Sequence, residues 1–221
     1  MTPESIFFII QKAKEDEERT GNFAKQLASK VSQLHLAVGL HGVDPLSCLF
    51  NFAVEYIEMA PRLIECVQAC ADEAGEMDLF APFIYHAVGY FTQPSVVFSK
   101  YIGLDGLLIK AYLCHRLMEE MYENNKSIRN SDLVDIETTQ ANLLAHHLIG
   151  EPFANELDQA ILITVCQLAG TPNYYELDLN PFVIQAKHKA WEWMRIYWQN
   201  LLVRNHIKFQ FSLKSVPPHR Y

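Results

Sequence analysis

Residues 104–123 read LDGLLIKAYLCHRLMEEMYE. Placed 100° apart, Leu104, Leu108, Ala111, Met118 and Tyr122 fall on one face, the signature of an amphipathic helix. That period recurs to either side. Ile6, Ile9, Ile10 and Ala13 follow the start signal Thr2-Pro3-Glu4, with a first-turn proline and an acid on the helix dipole. Phe23, Leu27, Val31, Leu34 and Val38 predict a second helix that ends at Gly39 and Gly42. Asp44-Pro45 opens a third, which Pro61 either kinks or divides before Gly75.

Asp78 caps a helix with Pro82 in its first turn, and Pro94 and Gly103 break the pattern into turns. Asn124 to Asp132 forms the clearest loop. Helix returns over about 136–149, stops at Gly150, and restarts at Pro152. The stretch from Ala160 to Leu168 is apolar nearly all round, which places the helix of about 152–169 at the centre of the bundle. Asn180-Pro181 opens the last long helix.

Beyond it the period changes from 3.6 to two. Ile207, Phe209, Phe211 and Leu213 alternate with Lys208, Gln210, Ser212 and Lys214, the pattern of a strand. One strand leaves its backbone groups unpaired, so the arm is expected to pack across the bundle or to pair with a second subunit. A frayed amphipathic tail is the alternative. The expectation is an all-α, single-domain multi-helix bundle over residues 1–205, with a short extended C-terminal arm over 206–221.

The bulk composition agrees with a soluble globular chain. At 221 residues, half of them hydrophobic and 20% charged, it has enough core to fold without disulfide or metal. A net charge of −8 argues against duplex nucleic acid and anionic lipid as partners. The residues from Met1 to Ile10 lack the basic flank of a signal peptide, and no stretch is apolar enough to span a membrane. The expected compartment is the cytoplasm, where the triplet Asn125-Lys126-Ser127 is a chance match to a glycosylation signal. Cys48, Cys66, Cys70, Cys114 and Cys166 read as free thiols in apolar surroundings. Cys66 and Cys70 lie one helical turn apart, a spacing that also permits a soft metal ion.

His115 lies near the middle of the apolar face of 104–123, with Glu119 one turn on. Such a pair can offer two ligands to a divalent metal, or let a carboxylate orient an imidazole. His147 and Glu151 repeat the interval, although Gly150 and Pro152 intervene. Together these four residues define a candidate binuclear site inside the bundle, with His86 a further member. The Glu-x-x-His spacing of carboxylate-bridged centres is absent, so a hydrogen-bonded cluster that fixes helix pairing is the competing reading. Arg116, Glu120 and Glu123 are expected to point away. No phosphate loop, nucleophile elbow or zincin motif is present, and Cys114 diverges from its neighbour His115 by 100°.

Trp191, Trp193, Tyr197 and Trp198 cover more than one narrow stripe of the last helix. With Ile207, Phe209 and Phe211 they are candidates for a ligand or subunit interface. Three function classes follow. One is a helical interaction protein that self-associates or binds a protein or small apolar molecule. Another is a metal-dependent oxidoreductase or hydrolase of the non-haem iron or manganese type. The third is a regulatory domain that senses a small molecule.

Overall fold

A computed structural model describes residues 3–34, 38–93, 97–131, 136–169, 174–188 and 191–209, with backbone alone for 3, 136, 137, 188 and 191. Ten α-helices occupy most of the described residues: α1 (Pro3–Thr20), α2 (Asn22–Val31), α3 (Pro45–Ala74), α4 (Met77–Thr92), α5 (Gly103–Glu123), α6 (Lys126–Arg129), α7 (Ile136–Ile149), α8 (Phe153–Leu168), α9 (Asn180–His188) and α10 (Trp191–Arg204). A 3-10 turn spans Tyr174–Glu176, and two short strands, β1 (Val38–Leu40) and β2 (Ile207–Phe209), complete the fold.

The helix ends follow local chemistry. Gly21, at φ 60°, separates α1 from α2, and the Glu17 carboxylate accepts hydrogen bonds from the amides of Phe23 (2.9 Å) and Ala24 (3.0 Å) at the start of α2. Asp44 caps α3 through the amides of Leu46 and Ser47, just before Pro45. Gly75, at φ 73°, closes α3 with Glu76 N–H bonded to Ala71 C=O at 2.8 Å. Pro61 neither divides this helix nor starts another; α3 runs through it for 30 residues.

Sixteen of the 21 residues of α5 are buried, so this helix holds the centre of the bundle, against α1, α3, α4, α7 and α8. The expectation that the helix of about 152–169 is central is corrected. On α8 only Ala154, Leu157, Ile161 and Val165 are buried, while Leu162 and Ile163 face outward. Apolar composition placed it inward, but α8 buries a single stripe against its neighbours, and Ala160, Leu162 and Ile163 lie on the surface. At the start of α5, a Cβ on Gly106 would lie 2.5 Å from the Tyr101 carbonyl oxygen, so only glycine admits that close approach.

A second correction concerns Val38. It belongs to β1, not to the end of α2, which stops at Val31. The polar run Ser32-Gln33 follows, and Val38–Leu40 finds backbone partners in β2 instead. The two strands are antiparallel, with Val38 opposite Phe209, Gly39 opposite Lys208 and Leu40 opposite Ile207. The C-terminal arm therefore begins as the strand its alternation predicts, paired within its own chain. Phe211 and the rest of the arm from residue 210 lie outside the described residues. Among the described residues, no helix is long and apolar enough to cross a membrane.

Candidate functional site

Burial of α5 on most sides carries Arg116, Glu119 and Glu120 inward, while Glu123 stays exposed at its end. Arg116 and Glu120, expected to point away from the core, instead build a polar network with Glu119. The Arg116 guanidinium donates to Glu119, to Glu120 at 2.6 Å and to Asp158 of α8 at 3.3 Å. Burial opposes its charge, but Glu119, Glu120 and Asp158 outweigh that and raise its pKa. Glu119, 3% exposed, also accepts from Thr139 Oγ1 at 2.9 Å and from the Asn142 side-chain amide at 2.6 Å, both on α7. The Asn142 side-chain oxygen in turn accepts from the Tyr56 hydroxyl of α3 at 2.7 Å. One chain of hydrogen bonds thus joins α3, α7, α5 and α8.

The far end of the network is more open. Tyr112 OH donates to Asp158 at 2.6 Å, and His146 Nε2 lies 3.1 Å from Asn155 Oδ1 and 3.4 Å from Asp158. Both partners are acceptors, so Nε2 carries the hydrogen. Burial, reinforced by the hydrogen bond to Asp158, raises the Tyr112 pKa well beyond its usual range.

His115 stands one side chain away from these groups. Its Nε2–H donates to the Tyr56 carbonyl oxygen at 3.0 Å, and its ring packs against Tyr56 (4.4 Å) and edge-on to Trp198 (5.0 Å). Nδ1 is buried with no hydrogen-bond partner among the described residues. Burial pushes the imidazole pKa down to about 4, against the opposing pull of the Tyr56 hydrogen bond. Beside it, the Cys114 thiol turns to the Ala60 carbonyl at 3.9 Å rather than to His115, and burial raises its pKa. A thiol so placed is no nucleophile.

The four candidate metal ligands thus have separate engagements. His115 is held by Tyr56, and Glu119 by Arg116, Thr139 and Asn142. His147 Nε2 bonds the Gln33 carbonyl at 3.0 Å, and Glu151 is exposed beyond the end of α7. His86 is exposed on α4, edge-on to Tyr85. Among the described residues, no three His, Cys, Asp or Glu side chains stand close enough together to hold one ion. The helical interval read correctly on α5 did not extend to a shared centre, because α7 turns His146, not His147, toward α5. Tyr56, Asn142 and Asp158 were missed. Asn142 alone left a signal, a polar residue among Ala141, Leu143, Leu144 and Ala145 in mid-helix.

The aromatics of α10 divide by face. Trp198 is buried on Tyr56 and His115, and Tyr197 donates to Glu55 under the Arg204 guanidinium. Trp193 is 46% exposed, beneath the Arg62 guanidinium; the side chain of Trp191 lies outside the described residues. Ile207 is buried and Phe209 packs on the core. Two surface openings flank these helices. A cleft of about 530 Å³ has Leu46, Phe50, Val54 and Leu104 in its wall, with Glu17 and Glu55 also lining it. A groove of about 570 Å³ runs between α1, α3 and α10, with Phe7, Cys66, Ala69 and Trp193 in its wall. Neither is lined by His115, Arg116 or Glu119. Comparison with protein-family models, curated proteins and solved structures finds no match to this chain.

Proposed function

We propose that the protein is a helical interaction protein that self-associates through the outward face of α10, and that its interior network serves to fix the fold. The supporting observation is the stripe Trp193 (46% exposed), Ile196 (48%) and Val203 (68%), with Asn200 completing a 3-4-3 spacing. The opposite face of α10, Met194, Trp198, Leu201 and Leu202, is buried. A helix already anchored on one side gains nothing within its own chain from apolar residues on the other.

The spacing is that of a helix-helix seam, and a polar residue within such a seam selects register. A second copy of the chain carries a matching helix, and a two-fold axis lets one stripe meet itself. Trp193 belongs to both the stripe and the neighbouring groove, and tryptophan is favoured at the energetic centre of interfaces. Sedimentation equilibrium over a range of concentrations tests this. The expected mass rises toward twice the 25.4 kDa of one chain. A mass that stays at one chain throughout overturns the proposal.

A small apolar ligand in the 530 Å³ cleft is a second reading, favoured by a volume in the usual range for such sites and by its apolar lining. Binding of an environment-sensitive apolar dye that Phe50→Glu abolishes would support it.

A further inference from the structure

We propose that Cys66 and Cys70 of α3 form a binding site for a soft, thiophilic ion of the copper(I) class. The two cysteines stand one helical turn apart on one face of α3, with the Cys66 thiol directed to Cys70. Both are shielded, at 7% and 3% exposure. Cys66 and Met194 nevertheless line the groove of about 570 Å³ between α1, α3 and α10, which gives an ion a route in.

The donor set selects the ion. Thiolate and thioether sulfur favour copper(I) over harder cations. Structural zinc takes four ligands, commonly cysteine and histidine, and no group of three His, Cys, Asp or Glu surrounds this pair among the described residues. Two thiolates suffice for a monovalent ion of low coordination number. The remaining cysteines offer no such pair: Cys48 and Cys114 are buried apart, and Cys166 is exposed on α8. On binding, two S–Cu bonds form as two S–H bonds break, two protons pass to solvent, and copper remains copper(I).

The test is an anaerobic titration of the whole protein with copper(I) held by a chromophoric chelator. The expected result is one ion withdrawn per chain, with quenching of tryptophan fluorescence because Trp193 lines the same groove. Cys66→Ala and Cys70→Ala should each weaken binding by at least about 100-fold, the upper end of what even a lost supporting contact costs a metal site. Cys166→Ala should leave it unchanged. A chelator that keeps its copper, or a binding loss that follows Cys166→Ala instead, overturns the proposal. Should the α3 variants unfold, phenylarsine oxide on the native wild-type protein decides. It joins paired thiols with release of one water, so a single adduct that consumes two thiols supports the site and no adduct overturns it.

Discussion

The side-chain amide of Asn142 donates to Glu119 at 2.6 Å while its oxygen accepts the Tyr56 hydroxyl at 2.7 Å. One mid-helix residue thereby satisfies a buried carboxylate and a buried phenol on two other helices. Asn142→Ala removes both partners at once. The expected loss is about 1–3 kcal/mol of unfolding free energy, since the Tyr56 hydroxyl is stranded while Glu119 keeps Arg116 and Thr139. Urea denaturation measures it. A loss below about 0.5 kcal/mol, the usual range for an inert surface change, would mean that the network does not set the packing.

Arg116 is the sole arginine or lysine bonded to Glu119, Glu120 and Asp158 among the described residues. Arg116→Met keeps much of the stem but leaves three acids facing one another. The expected cost is roughly 3–5 kcal/mol, as for other buried pairs broken from one side. Asp158→Asn should cost less, because that carboxylate sits at the open end of the network. Equal losses from the two variants would contradict the inward reading of Arg116.

His115 makes stability acid-sensitive in a definite window. Its folded pKa of about 4 lies below the unfolded value near 6.5, so between these limits the unfolded chain binds a proton that the folded chain refuses. Stability therefore falls as pH drops from about 6.5 to about 4, by up to about 3 kcal/mol from this residue. His115→Gln keeps a donor for the Tyr56 carbonyl and should remove that contribution from the pH profile of the urea midpoint. An unchanged profile would place His115 in a wetter site than its packing on Tyr56 and Trp198 indicates.

The sequence carried the helices because their signals are local. Asp44-Pro45 and Gly75 act within a turn of the residues they cap, and the stop at Ile149 before Gly150 follows the same logic. What it misplaced were matters of tertiary arrangement. Helical periodicity cannot say which helix is surrounded, so α8 read as central on its apolar content while α5, with Arg116 and Glu120, took that position. The partner of the strand at Ile207 was equally hidden, because Val38 lies far upstream and fits the helical period that precedes it. His115 and Glu119 were singled out correctly as interior, but their partners Tyr56 and Asn142 come from other helices, which no spacing within 104–123 can reveal.

Gly106 offers a compact check on the centre of the fold. A methyl group at this position would press on the Tyr101 backbone, so Gly106→Ala should destabilise by about 1–3 kcal/mol despite the better helix propensity of alanine. Thermal unfolding followed by circular dichroism would show the lower midpoint. A higher midpoint would mean that α5 has room where the structure has none.

The proposal that α10 is the working surface is tested most directly by the solution mass of two variants measured at one concentration. Ile196→Glu places a charge in the middle of the stripe, whereas Ile163→Glu places one at a comparably exposed apolar residue of α8. With both variants retaining wild-type circular dichroism, the expected outcome is a monomer for Ile196→Glu and a dimer for Ile163→Glu. A dimer for Ile196→Glu, or a monomer for the wild type itself, would contradict it.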